Sequence, residues 1–279
     1  MTHLFKCKTG EAYYVKVLAE LLTNNIKTGC FEVNEDGISL RMFDHPRKTL
    51  VDLYLLAENF SYYRYKSDLE KICVGLNLNH FHKMLKSIKK KDSLQLFIEK
   101  DAETELGIKT IPKENTRITT SGIKIQNIQS IEIDTPTGYG KPVIVPSAEF
   151  QKMCKDLSSI GSTKIKVRAR DFHIEFEADA DGILKRKVTF GENEENDDDD
   201  DLDMKEYVAT FSTEQLVRIT KLSGLSSTMQ IFPASGDLPL LFKSNIGSLG
   251  KISIFVKSQE LVEKENLCSE DSDSDSDSD

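Results

Sequence analysis

Apolar residues recur with a helical period at four places along the chain, and with a strand period between them. In residues 149–161, Phe150, Met153, Cys154 and Leu157 fall at i, i+3, i+4 and i+7. They share one face and predict an amphipathic helix with that face in a core. Lys152 and Lys155, three apart, point together away from it. Residues 11–25 repeat the layout at a shift of 136: Tyr14, Val17, Leu18 and Leu21 fall on those four positions, and Lys16 falls on Lys152. Residues 80–88 and 215–223 pair at a shift of 135, placing Phe81 on Leu216, Met84 on Ile219, Lys83 on Arg218 and Lys86 on Lys221.

Alternation with period two predicts the strands. Residues 94–97 match 229–232 at the same shift of 135, and residues 31–33 and 38–42 match 165–167 and 172–176 at 134. Asp36-Gly37 supplies hairpin chemistry between the first two of these strands. The chain thus reads as two halves, each with two helix-then-strands units. A period this long is a duplicated domain rather than a solenoid. The expected class is α+β, with two similar domains, each packing two helices on antiparallel sheet.

At 279 residues there is room for two full cores. We expect an N-terminal domain over 1–126, a connector over 127–142 and a C-terminal domain over 143–260 that includes an acidic loop at 192–206. A disordered Ser-Asp tail over 261–279 follows. The Gly and Pro residues of 134–142 break any helical period, while Ile128, Ile131 and Ile133 give the connector apolar grip. No apolar run is long enough to span a bilayer, and residues 1–10 lack a signal-peptide pattern, so no membrane role is expected. Five cysteines without a C-x-x-C pair suit a reducing compartment and argue against a disulfide frame or structural zinc.

Charge refines the picture. The net charge is -9, but residues 192–206 carry ten acids and one lysine, and residues 269–279 carry six acids and no base; without them the body has 30 acids against 36 bases. The acidic runs self-repel and predict disorder. The basic residues on the helices are Lys16, Lys83, Lys86, Lys152, Lys155, Arg218 and Lys221, set opposite the apolar stripes. Helices packed on one face of a sheet would offer these cations together, which suits a phosphate backbone and carries no base-reading information. No aromatic platform interleaves with them, so single-strand stacking is not indicated.

Enzyme signatures are missing. His80 and His82 are two apart on a helix and cannot share a face to hold a metal. The Asp197 to Asp201 run lacks the glycine and spacing of a calcium loop, and Gly138-Tyr-Gly-Lys141 lacks P-loop spacing. No nucleophile–base arrangement stands out, so neither catalysis, metal nor cofactor is expected.

Cys154-Lys-Asp-Leu-Ser-Ser-Ile-Gly161, Leu225-Ser-Ser-Thr228, Asp237-Leu-Pro-Leu240, Leu50-Val51 and Phe60-Ser-Tyr-Tyr-Arg64 occur in one order and spacing. With them the chain resembles the eukaryotic-type DNA sliding clamp, the proliferating cell nuclear antigen family, from Phe5 to Lys257. The resemblance implies the DNA-clamp fold, with three chains closing into a ring around duplex DNA and the basic helices lining the hole. It also implies a processivity factor that tethers DNA polymerase and other replication and repair proteins, a clamp-loader ATPase as partner, a homotrimer, and a nuclear location (or a viral replication compartment if virus-encoded). A partner-peptide pocket would use Phe43, Ile131, Ile133, Pro239 and Phe255. Ring edges would involve residues 73–78 and 110–120 meeting 164–176. Departures from the family pattern are His45-Pro-Arg-Lys48 at the pocket rim, Lys257-Ser-Gln259 after the last strand, and Arg170 where a modifiable lysine is usual. A subunit of a heterotrimeric, checkpoint-type clamp, a monomeric processivity factor and a protein-interaction hub without DNA remain open alternatives.

Overall fold

The same sequence of elements is built twice. The computed structural model describes residues 3–114, 117–129, 131–170, 173–191, 207–233 and 237–273; the acidic segment 192–206 and the end of the Ser-Asp tail lie outside them. The first set runs β1 (His3–Thr9), α1 (Ala12–Asn25), β2 (Thr28–Val33), β3 (Gly37–Phe43), β4 (Thr49–Leu56), β5 (Tyr62–Tyr65), β6 (Ile72–Asn77), α2 (Leu78–Leu85), β7 (Ser93–Glu99), β8 (Ala102–Ile111) and β9 (Thr119–Lys124). The second runs β10 (Val143–Pro146), α3 (Ser147–Ser158), β11 (Lys164–Arg170), β12 (His173–Ala180), β13 (Leu184–Gly191), β14 (Tyr207–Ser212), α4 (Thr213–Arg218), β15 (Thr228–Phe232), β16 (Leu240–Ile246) and β17 (Gly250–Val256). A last helix, α5, spans Gln259–Asp273.

Sheet order repeats too. In the first set β1, β7, β8 and β9 are consecutive neighbours, as are β4, β3, β2 and β6; in the second, β10, β15, β16 and β17 correspond to the former and β13, β12, β11 and β14 to the latter. Among the described residues, the short β5, paired to β1 with Lys6 opposite Arg64, has no counterpart. Neighbouring strands run antiparallel, as in β2 with β3, β7 with β8 and β11 with β12. Duplication is therefore written in topology as well as in periodicity.

Two compact units result: Met1–Asp134 with Lys221–Ser227 and Lys243–Ile254, and Thr135–Thr220 with Thr228–Phe242 and Phe255–Asp279. This departs from the contiguous division 1–126, 127–142 and 143–260. Residues 243–254 belong to the first unit because β17 begins beside β4: Leu56 N donates to Leu249 O at 3.0 Å, and a Cβ on Gly250 would sit 1.9 Å from Tyr54 O. Glu11 also accepts from both N and Oγ of Ser248.

Each unit packs its helices on its own apolar sheet faces. In the first, Leu18, Leu21, Leu22, Leu78 and Leu85 are at most 3% exposed, together with strand residues such as Phe5, Leu40 and Leu53. In the second, Phe150, Met153, Cys154 and Leu157 are buried with Phe176 and Phe242, whose rings lie 6.0 and 5.6 Å from that of Phe150. Each such side chain contributes about 1.5–3 kcal/mol. The predicted stripe of α3 is the observed one. That of α2 is shifted: Leu78, Phe81 and Leu85 are buried, whereas Met84 is 39% exposed although its counterpart Ile219 is fully buried.

Two further expectations are corrected. Helix α4 ends at Arg218 and tightens into a 3-10 turn over Thr220–Gly224, so Lys221 stands on that turn and not on the fourth helix. Thr220 Oγ1 donates to Val217 O at 2.7 Å, drawing the chain into the tighter turn. The segment 261–273, expected to be disordered with the rest of the tail, is helical in α5. Ser258 Oγ accepts from Leu261 N at 3.1 Å in the manner of an N-cap, and Glu260 lies in the first turn, where the helix dipole favours an acid. Lys257 pairs with Glu265 at 2.6 Å, and Lys264 pairs with Asp237.

Candidate nucleic-acid interface and partner groove

The helices expose cations where the apolar stripes leave their outer faces free. On α3, Lys152 and Lys155 are exposed opposite Phe150, Met153, Cys154 and Leu157. On α2, begun by Asn77 Oδ1 accepting from His80 N at 3.0 Å, Lys83 is exposed, and Lys86 is exposed at the C-cap. Among the described residues, none of these four lysines is paired with an acid.

The other three candidates are half-buried and engaged. Lys16 Nζ donates to Ile88 O at 2.9 Å, which ties α1 to the chain leaving α2. Lys221 Nζ lies 2.7 Å from Glu20 Oε1, within the first unit. Arg218 pairs with Glu214 at 2.5 Å, an i, i+4 contact on α4 in the second unit. Recurrence of charge in the sequence therefore does not mean recurrence of available charge.

Burial pushes the His82 imidazole pKa below its usual value; Glu20 opposes this, while Lys86, Lys16 and Lys221 add to it. These five residues thus form one electrostatic cluster in the first unit. Tyr13, also on α1, carries Lys16 and Lys90 over its ring at 6.0 and 5.7 Å from the centroid. An aromatic does interleave with these cations, contrary to the sequence expectation. Lys90 lies in the turn before β7, five strands and a helix away in the chain from α1, so no local pattern brings it to Tyr13.

A second feature of the first unit is a groove of about 630 Å³ between the β2–β4 strands and residues 129 and 131–134. Phe43, Ile131 and Ile133 line it, together with Arg41, Met42 and Cys30. Ile131 is 70% exposed, a large apolar side chain without cover. Arg41 holds the connector by donating from Nη1 to Ile133 O at 3.0 Å, and pairs with Asp52 at 3.1 Å. Asp44 is buried and accepts from Lys48 N and Thr49 N, each at 2.8 Å; this turn brings Arg47 over the Phe43 ring at 5.0 Å. His45-Pro-Arg-Lys48 thus forms a built rim.

Pro239 and Phe255 belong to the second unit. There Tyr139 Oη donates to Pro239 O at 2.7 Å, and its ring packs 6.2 Å from Phe255, which is 4% exposed, and 6.3 Å from Phe232. Tyr139, read from the sequence only as part of a turn-rich connector, anchors that segment. Of the expected pocket residues, Phe43, Ile131 and Ile133 come together in one groove, while Pro239 and Phe255 are gathered by Tyr139.

Free sheet edges agree with those expected at 73–78, on the terminal strand β6, and differ at 164–176. Residues 164–176 fall largely in β11 and β12, both with neighbours on each side, and 73–78 fall mostly in β6, where Gly75 bridges to Gln126. The terminal strands are β5 and β9 in the first sheet, β10 and β6 in the second, and β13 and β14 in the third. Glu260 of α5 covers the β14 edge by accepting from Thr210 N at 3.0 Å, while among the described residues no strand pairs with the outer edge of β13.

No cluster of three or more His, Cys, Asp or Glu among the described residues could hold a metal, and no described helix is long and apolar enough to cross a membrane.

A duplicated α+β chain with basic helix faces and paired sheets defines the DNA-clamp class. The family model for the N-terminal domain of proliferating cell nuclear antigen matches residues 4–135, and that for its C-terminal domain matches residues 134–259. The chain belongs to the proliferating cell nuclear antigen family. It is 27% identical over 258 residues to the proliferating cell nuclear antigen of Chaetomium thermophilum, covering 91% of this chain and 97% of that protein. The crystal structure of the Entamoeba histolytica protein of that name superposes with a TM-score of 0.78 at 20% identity, over 92% of this chain and all of that one. The protein is a sliding clamp and a processivity factor for DNA polymerase in replication; it binds DNA and polymerase and has no catalytic chemistry.

Proposed function

We propose that three copies of this chain close into a ring whose hole is lined by Lys83, Lys86, Lys152 and Lys155, with Lys16, Arg218 and Lys221 as a less available second set. The observation that carries this reading is the exposed i, i+3 lysine pair found in both units, on α2 and on α3, opposite a buried stripe. Such a surface attracts phosphates of any sequence and exchanges them freely. Topological enclosure then does what tight binding cannot: it keeps the clamp on DNA while letting it slide. Seven cations per chain would give about 21 around the hole; if roughly four touch phosphate at once, binding of a threaded duplex falls with salt at a slope near -3.6.

Ring closure would pair β9 of one protomer with β13 of the next. This extends one sheet into the other by backbone hydrogen bonds and removes both open edges. Exposed Glu103 and Glu105 beside β9 and exposed Lys185, Arg186 and Lys187 on β13 have opposite charge. The groove of the first unit that holds Phe43, Ile131 and Ile133 is the docking region proposed for clamp-binding peptides of polymerases and repair proteins. Tethering there raises the local concentration of polymerase at the primer end. A loader ATPase would open the ring, and the nucleus is the compartment where such a clamp would act; both rest on the family.

Light scattering of the purified chain tests the assembly. A solution mass about three times 31.5 kDa is expected. A monomer at micromolar concentration overturns the homotrimer and favours a heterotrimeric clamp subunit.

A further inference from the structure

Strands β2 and β6 carry two thiols on the face turned away from the core. Cys30 stands opposite Gly75 and Glu32 opposite Cys73 in the antiparallel register, so all four share that face. Cys30 and Cys73 occupy one diagonal of this ladder. Glu32 and Lys71 occupy the same diagonal one step along, and their side chains meet at 2.8 Å. This is therefore the diagonal along which side chains touch, consistent with the reach of cross-strand diagonal pairs in a twisted ladder. The register thus sets the two thiols as diagonal neighbours on one face of the ladder.

Their environments differ in a useful way. Cys73 is exposed, whereas Cys30 is 4% exposed and lies in the wall of the groove, with its backbone N–H 3.3 Å from Met42 Sδ. Burial, followed by the neighbouring Cys73, pushes the Cys30 thiol up to about 11, so it stays protonated in the reduced protein. The remaining described cysteines have no such neighbour: Cys7 and Cys154 are 1% and 0% exposed within the cores, and burial pushes each to about 12.

We propose that Cys30 and Cys73 form a peroxide-responsive thiol pair that closes to a reversible disulfide across the β2–β6 ladder. Cys73 reacts first, because only its sulfur is open to solvent. Its thiolate attacks hydrogen peroxide, the O–O bond breaks, and Cys73 becomes a sulfenic acid while the released hydroxide takes up a proton to give water. The Cys30 sulfur then attacks the sulfenic sulfur; the S–O bond breaks, the S–S bond forms, and the hydroxyl leaves with the Cys30 proton as a second water. Two thiols and one peroxide give one disulfide and two waters. A small dithiol reverses the step by exchange. The bond forms in the wall of the groove that holds Phe43, Ile131 and Ile133, although the pairing itself does not depend on what binds there.

The test exposes the full chain to graded hydrogen peroxide, blocks remaining thiols with iodoacetamide, and maps the cysteines by peptide mass. The expected product is a linked peptide pair joining Cys30 to Cys73, lighter by two hydrogens and restored by dithiothreitol. Cys7 and Cys154 should stay alkylatable only after unfolding. In Cys73→Ser, an exposed substitution that leaves the core untouched, Cys30 should remain a free thiol at the same peroxide dose. In Cys30→Ser, Cys73 should run on to the sulfinic acid. Sulfinic acid at Cys73 in the unsubstituted chain with Cys30 still free overturns the proposal, and so does a disulfide from Cys73 to any other cysteine.

Discussion

Cations at corresponding positions of the two repeats, Lys16 and Lys152, Lys83 and Arg218, Lys86 and Lys221, are used differently. On α2 and α3 the lysine pairs stand free above buried stripes. On α1 the corresponding lysine, Lys16, is committed to the Ile88 carbonyl, and the cations at the fourth position are paired, Arg218 with Glu214 and Lys221 with Glu20. Duplication preserved where positive charge sits, while later divergence decided which charges remain available to an outside anion. Half-buried cations bonded to backbone or acid support the fold; exposed pairs are left to meet phosphate.

The largest effects should come from the parts the two units share. Leu85→Ala in the first unit and Leu157→Ala in the second each remove a fully buried helix residue. Each should cost about 2–5 kcal/mol, read by urea unfolding. A loss in one unit alone would mean that the cores are not equivalent.

Lys86→Glu combined with Lys155→Glu changes one free cation per unit without touching either core. Processivity of a primed polymerase should fall at least about tenfold, since lost phosphate contacts are replaced by repulsion. Unchanged processivity would favour an interaction hub over a clamp.

The engaged cations should behave otherwise. Lys16→Met should lower stability by about 1 kcal/mol through the lost bond to Ile88 O, with little change in DNA binding. Glu20→Gln should release Lys221 and strengthen duplex binding modestly, steepening the salt slope by at most about 0.9. Equal losses of binding from Lys16→Met and Lys86→Met would erase the distinction drawn between them.

The smallest effect concerns pH in the second unit. Partial burial alone would raise the Glu175 and Glu177 carboxyls, but hydrogen bonds from Lys187 and Arg168 to the first, and from Lys185 and Arg168 to the second, hold both below the usual 4.5. Their folded values are depressed, so the stability they add is present above the unfolded value and is lost as pH falls through the folded one. Thermal melts below about pH 4.5 should therefore drop less steeply in Arg168→Met than in the parent chain.

Much of this architecture is legible in the sequence because it follows from local period. The stripe Phe150, Met153, Cys154 and Leu157, the strand alternation and the shifts of 134 to 136 all lie within windows that a single element spans. What was missed depends on residues brought together from afar. Lys90 meets Tyr13 only once the β7 sheet is formed, and Tyr139 anchors to Pro239 across a hundred residues. Met84 looked apolar in period, but α2 turns its Leu78–Phe81–Leu85 stripe inward instead. The terminal place of β13 follows from strand order, and α5 depends on a cap at Ser258 just before a segment whose composition reads as disorder.

The most direct test of the central claim is the salt dependence of binding to a linear duplex threaded through the loaded clamp, measured on the parent chain and on Lys83, Lys86, Lys152 and Lys155 all changed to Gln. A plot of log K against log salt should have a slope near -3.6 for the parent and should approach zero in the variant. A variant that keeps the parent slope would contradict the assignment, because some other surface would then be holding the phosphates.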